Sequence, residues 1–345
     1  MAKSAIDWDG KKKINLALQG GGAHGAFTWG VLDCILEDGR LDIEAISGAS
    51  AGAMNAVVYA QGYLENGRAG ARKCLAAFWK AVSDAGSMSS GASSAFDAMF
   101  KPFGFDQWPA QWWMDTVTHY ASPYELNPLG LNPLRDLLGR TIDFEKVRAC
   151  QHIQIFVSAT NVHTGKIALF ERKDLTIDHV MASACLPTVF QAVEIDGVPH
   201  WDGGYMGNPA LFPLLYNGAC PDTMIVEINP IERMETPKTA PEIQNRLNEI
   251  TFNGALLREL RAIEFVQRLI DQRKIGPPDY NRPFIHRVDG GEPMKTFSAA
   301  SKMDASWDKL TAMRDIGRAA ALVWIDTHYD DIGVRDTLDL RGAFS

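Results

Sequence analysis

The chain has 345 residues with 46% hydrophobic content, a formal charge of −8 and five cysteines. That is enough apolar material for one large domain, or a domain with an appended lobe, and the acidic balance supports neither nucleic-acid binding nor general attraction to anionic lipid. No apolar run approaches the roughly eighteen residues of a membrane span, residues 1–13 are charged and lack the apolar core of a secretory signal, and Cys34, Cys74, Cys150, Cys185 and Cys220, without C-x-x-C spacing, read as buried thiols of a reducing, cytoplasmic setting.

The apolar run at 14–18 predicts a strand. Next come Gly20-Gly21-Gly22-Ala23-His24-Gly25, a helix over 23–37 and a second strand over 43–47, which together make a βαβ unit. The second strand runs into Gly48-Ala49-Ser50-Ala51-Gly52, which has the G-x-S-x-G form of a nucleophile elbow. Small neighbours at Gly48 and Gly52 permit the sharp turn that lifts the Ser50 hydroxyl clear of the sheet, and the helix after it adds a positive dipole end. The loop from Gly20 to Ala23 can aim backbone N–H groups at a carbonyl oxygen as it becomes an oxyanion. Gly20, Gly22 and Gly25 also satisfy the dinucleotide fingerprint G-x-G-x-x-G. That fingerprint expects an acidic residue at the end of the next strand, whereas Asp42 and Glu44 stand at its start.

Helices from Ala51 and Arg68 are expected next. Residues 83–124 then change character, with a Gly/Ser-rich stretch at 86–94 followed by an aromatic cluster that includes Phe96, Phe100, Trp108, Trp112, Trp113 and Tyr120. This segment reads as an insertion over the mouth of the site, either a lid or lipid-facing surface or a small packed subdomain. A strand-like segment at 193–201 leads into Asp202-Gly203-Gly204, a tight turn that can project a carboxylate into a cleft. None of the eight histidines stands where a Ser…Asp…His order would put its third member. His286 and His328 read as structural or surface residues; His200, on the same face of an extended chain as Asp202, is the competing base. An amphipathic helix over 242–274 and a final helix over 306–329 complete the chain. No H-E-x-x-H, EF-hand loop or close Cys/His cluster is present to hold a metal.

Taken together, the glycine run at 20–25, the elbow at 48–52 and Asp202-Gly203-Gly204 resemble the signature blocks of the patatin-like phospholipase family, in the same order and spacing. Residues 153–170, 182–190 (ASACLPTVF) and 204–209 are similar to the family's intervening stretches, and the resemblance covers about residues 12–230. It implies a three-layer α/β/α fold with a mostly parallel central sheet, with Ser50 at a strand's C-terminal end. It further implies a Ser–Asp dyad without histidine, in which Ser50 attacks a lipid ester, Asp202 takes its proton, and N–H groups of Gly20, Gly21, Gly22 and Ala23 form the oxyanion hole. No cofactor or metal is implied. The expected partner is a lipid or ester substrate, met in the cytoplasm with transient contact at a membrane surface; oligomeric state is left open. The domain reading is a catalytic unit at 12–230 with the insertion at about 83–124, and a mainly helical extension at 231–345 packed on it. An acyltransferase sharing the acyl-serine intermediate, or a non-catalytic lipid-binding scaffold, are the alternatives. One departure stands out: the family commonly carries Arg or Lys where this chain has His24, and a neutral imidazole lends an oxyanion less positive field.

Overall fold

A computed structural model of the chain describes residues 10–100, 122–217, 220–277, 280–297, 301–302 and 304–342, without side chains for 87–100. The aromatic insertion read from the sequence lies for the most part outside the described residues.

Strand β1 (Lys12–Leu18) is buried on both faces from Ile14 onward, which is why its sequence reads as a near-continuous apolar run and why it takes the middle of the sheet. It pairs in parallel with β2 (Leu41–Gly48) on one side and with β7 (Asp222–Glu227) on the other. Beyond β2 lies β3 (Gln154–Asn161), also parallel. Antiparallel strands β4 (Ile167–Glu171) and β6 (Val198–Asp202) both pair with β3, and β5 (Val193–Ile195) pairs with β6. On the far side β8 (Phe284–Asp289) runs parallel to β7. The full order is β5-β6-β3-β2-β1-β7-β8, with β4 on β3. From β1 the chain builds outward to one side through β2 and returns later to build the other side. This reversal opens the crevice where α/β sheets bind ligands, outside the strand C-termini.

Helix α1 (Gly25–Asp38) connects β1 to β2 and ends on Gly39, whose φ of 83° is the left-handed stop expected of a C-terminal glycine. A long helical run, α2 (Ala51–Phe100), follows the elbow and breaks at Asn66 and Gly67 (φ 54°), as two helices starting near Ala51 and Arg68 require. Gly62 and Gly70 let the two halves meet: a Cβ on either would stand within 2.5 Å of the other's carbonyl oxygen. The stretch at 86–94 differs from its sequence reading. It continues the helix as regular backbone, because extending a helix already nucleated costs little per residue and an interior glycine only about 1 kcal/mol.

Helices α3 (Ile177–Ser183), α4 (Ala240–Asp271) and α5 (Trp307–His328) complete the layers. Helix α5 packs on α1 at backbone distance. A Cβ on Gly30 would stand 2.0 Å from the Arg314 carbonyl oxygen, and one on Gly317 would stand 2.1 Å from that of Phe27. One apolar core unites the faces of β1 and β2 with α1, α2 and α5 through residues such as Phe27, Val31, Ile46 and Leu310. A second, on the opposite face, joins Ala17, Phe156 and Ile225 to Leu256, Leu260 and Ile263 of α4. The fold is thus a mixed α/β arrangement with a mostly parallel central sheet flanked by helices, as the sequence led us to expect. The segment at 193–201 is a hairpin rather than one strand: Asp196 (φ 51°) and Gly197 (φ 76°) form its two-residue turn. Among the described residues no helix is long and apolar enough to cross a membrane.

Candidate active site

Register brings the sequence motifs together. Leu18 of β1 lies beside Gly48 of β2, so the glycine loop and the elbow leave the sheet side by side. Gly48 in turn lies beside Val157 of β3, and two residues on Ala159 pairs with Asp202 of β6. Strand β3 therefore bridges the segment that carries Ser50 and the one that carries Asp202.

At the elbow Ser50 adopts φ 51°, the left-handed region that costs a non-glycine residue about 1–3 kcal/mol and that the surroundings must hold in place. They do so through close backbone packing. A Cβ on Gly48 would stand 2.6 Å from Gly52, one on Gly52 would stand 2.2 Å from the Leu18 carbonyl oxygen, and one on Gly20 would meet the Ser50 Cβ at 2.8 Å. The Ser50 N–H donates to Ser183 Oγ at 2.9 Å. Ser183 comes from the block at 182–190, to which the sequence reading assigned no role; a hydroxyl at the buried end of α3 was the signal available.

Asp202 is 2% exposed. Its Oδ1 accepts the Gly204 N–H at 2.6 Å, and the Ser50 side chain is close enough to favour its ionised form. Burial outweighs both influences and raises its pKa from 3.8 to about 7. Its backbone is fixed as well: the N–H donates to Cys185 O at 2.8 Å, and Thr160 Oγ1 donates to its carbonyl at 2.8 Å. Gly203 is required here, because a Cβ would stand 2.2 Å from the Ser158 carbonyl oxygen. A hydroxyl beside a buried carboxyl that exchanges its proton near neutral pH is equipped for nucleophilic attack with proton transfer.

His200 points its chemistry elsewhere. Its Nδ1 bonds the Val198 carbonyl at 2.8 Å and its ring meets Phe170 edge-on. His286 is a buried structural residue, bonded to Asp222 Oδ1 at 3.0 Å and Thr337 Oγ1 at 3.1 Å. His24 is also buried, with Nε2 2.7 Å from Ser301 Oγ. Burial, with Lys302 and Arg233 nearby, lowers its pKa to about 4, so the imidazole is neutral at physiological pH.

The glycine loop is held by an amide network that the sequence did not reveal. Gly20 differs from its neighbours, because its N–H already donates to Asn208 Oδ1 at 2.7 Å. Gln19 Oε1 accepts the backbone N–H groups of Ile228 and Asn229, both at 2.8 Å, and Asn253 Oδ1 accepts from Gln19 Nε2 at 3.2 Å. The N–H groups of Gly21 and Gly22 have no acceptor among the described residues. The polar residues Gln19 and Asn208 do stand directly beside the motifs in sequence, but Asn229 and Asn253 arrive from β7's end and α4, which no local pattern could announce.

Among the described residues no group of three or more His, Cys, Asp or Glu is arranged to hold a metal ion. A cavity of about 550 Å³ opens at the C-terminal ends of β7 and β8, walled by Ile228, Glu227, Arg287, Asp289 and Met294 among others; neither Ser50 nor Asp202 lines it.

Compared with curated protein sequences, the chain finds no match. Among solved structures it is similar to VipD from Legionella pneumophila, at 15% identity and a TM-score of 0.42 over 91% of this chain and 67% of that one. It is also similar to full-length ExoU from the type III secretion system of Pseudomonas aeruginosa, solved in complex with SpcU, at 16% identity and a TM-score of 0.28 over 96% of this chain and 76% of that one. The family model of the patatin-like phospholipases matches residues 16–215. That match takes in the glycine loop, the elbow and Asp202 and spans more than half the sequence, and on it this chain belongs to the patatin-like phospholipase family.

Proposed function

We propose that the protein is a serine acyl hydrolase that cleaves carboxylic ester bonds of lipids through a Ser50–Asp202 dyad. The observation that carries this reading is the juxtaposition of a strained elbow serine and a fully buried carboxyl, brought together across β3 where the glycine loop meets the sheet. Ionised Asp202 accepts the Ser50 proton as Oγ forms a bond to the ester carbonyl carbon. The carbonyl π electrons move onto oxygen, which the N–H groups of Gly21, Gly22 and Ala23 receive. Gly20 contributes by its close approach to Ser50 and not by its own N–H, which Asn208 occupies. Collapse of the tetrahedral intermediate breaks the ester C–O bond, and protonated Asp202 returns its proton to the leaving alkoxide. Water then repeats the sequence on the acyl-serine, with Asp202 as base, and releases the fatty acid. The dipole of α2, which begins at Ala51, favours the charge that develops.

We read residues 12–230 as the catalytic unit and 231–345 as its extension, a reading supported by β8 within the sheet and α5 against α1. The substrate is a lipid or related ester met at a membrane surface. Incubating the protein with phosphatidylcholine vesicles and measuring released fatty acid tests the proposal. Release by wild type, absent in Ser50→Ala, supports it. Equal release by both, or transfer to an added alcohol with no release to water, overturns the hydrolase reading.

A further inference from the structure

Lys302 packs directly on the glycine loop: a Cβ on Gly22 would stand 2.5 Å from its carbonyl oxygen. Its ammonium is half-buried and donates to Asn229 Oδ1 at 2.6 Å. The Nδ2 of the same amide donates to the Gly20 carbonyl at 2.8 Å. Lysine offers only donors and a carbonyl only accepts, so one orientation of the Asn229 amide satisfies both. The Gly20 carbonyl and the Gly21 N–H are the two ends of one peptide unit. A carbonyl that accepts a hydrogen bond draws electron density along the peptide and makes its N–H the stronger donor.

An ammonium held largely out of water ordinarily faces a carboxylate, because its lost hydration is otherwise uncompensated. Among the described residues no carboxylate lies within ion-pair range of Lys302. Glu249, whose charge it feels, is already engaged by Arg233 at 2.8 Å and by Arg246 at 3.1 Å. The hydrogen-bonded partner of this cation is instead the amide that holds the loop. His24, the loop's own basic residue, is neutral at physiological pH, so it supplies no charge.

We infer that Lys302 is a positioning residue of the oxyanion loop: through Asn229 it orients and polarises the Gly20–Gly21 peptide, so that the Gly21 N–H meets the developing oxyanion. This rests on the Ser50 reading above and adds the positive field that residue 24 does not give.

The test compares wild type, Lys302→Met, Lys302→Gln, Asn229→Ala and the Lys302→Met/Asn229→Ala double variant on a soluble p-nitrophenyl ester and its thionoester analogue. Sulfur accepts hydrogen bonds poorly, so the ester-to-thionoester rate ratio reports the oxyanion donors, which a merely structural residue leaves unchanged. Lys302→Met is expected to lower kcat about thirtyfold with KM within twofold, a fraction of what loss of a whole oxyanion donor costs. Lys302→Gln, which keeps a donor for Asn229 but no charge, is expected to lose about fivefold on the same scale. The ester-to-thionoester ratio falls in both, and the double variant is no slower than the slower single. A folded Lys302→Met with kcat within twofold of wild type, an unchanged ratio, or losses that multiply in the double variant would overturn the inference. If Lys302→Met does not fold, Lys302→Gln and Asn229→Ala carry the same comparison. Ser50→Ala separates the two levels: turnover that survives in it overturns the nucleophile and this inference together, whereas Ser50-dependent turnover at full kcat in Lys302→Met overturns this inference alone.

Discussion

Replacing Asp202 by Asn is expected to cut turnover by orders of magnitude and, at the same time, to stabilise the fold. In the wild type, burial lifts the Asp202 pKa from 3.8 to about 7. At 1.36 kcal/mol per tenfold change, ionising it in the folded protein costs about 4 kcal/mol at pH 8 relative to the unfolded chain. The folded pKa lies above the unfolded one, so folding takes up a proton between those values. The stability associated with the protonated group is fully present below about pH 4 and is lost as pH rises through about 7. Asparagine keeps the shape and does not titrate. Using about 2 cal/mol/K per residue for the unfolding entropy of 345 residues, the variant should melt about 6 °C higher than wild type at pH 8. At pH 5 the penalty shrinks to about 2 kcal/mol and the gap to about 2–3 °C. Its kcat should fall about a thousandfold, as for loss of a general base. Scanning calorimetry at the two pH values and a soluble-ester assay measure all of this. A variant that melts lower than wild type at pH 8, or keeps more than a tenth of its kcat, would refute the reasoning, because it would make Asp202 a structural carboxylate.

Three further outcomes follow from the same geometry. In wild type, kcat/KM should rise with pH to a plateau with an apparent pKa of about 7, since the base acts only when deprotonated, and stopped assays between pH 5 and 9 would reveal a flat or falling profile if it does not. His200→Ala should keep kcat within about threefold of wild type while losing about 1 kcal/mol of stability with its bond to Val198; a loss equal to that of Asp202→Asn would instead restore a three-member triad. Gly30→Ala should destabilise by about 3 kcal/mol, roughly 4 °C in Tm, because its Cβ would collide with the Arg314 carbonyl and separate α5 from α1. An unchanged Tm there would mean that α5 is not seated as described.

What was legible in the sequence is what local chemistry enforces. The elbow, the glycine loop and the Asp202 turn each require small residues at fixed offsets, and the packing at Gly48, Gly52, Gly20 and Gly203 shows why: a single Cβ at any of them would strike backbone or an adjoining side chain. The βαβ unit was equally plain, since Ile14, Leu16 and Leu18 are a buried strand that no helix period fits. What escaped was contributed from afar. β7 (DTMIVE) and β8 (FIHRVD) are short segments of mixed character that become strands by pairing in turn outward from β1. Asn229, Asn253 and Lys302 converge on the glycine loop and its flanks from segments widely separated in the chain, and an isolated asparagine or lysine has no pattern that marks it. Asn208 stands in the 204–209 block, but its bond to the Gly20 N–H joins residues far apart in the chain and no local pattern shows it.

Ser50 as the nucleophile is the centre of the mechanism, and covalent trapping tests it most directly. Incubated with a fluorophosphonate and analysed by intact mass and peptide mapping, the wild-type protein should gain one adduct, on the peptide that contains Ser50. Ser50→Ala should gain none, and Asp202→Asn should label far more slowly than wild type. An adduct on another residue, or unchanged labelling of the Ser50→Ala variant, would contradict the central claim.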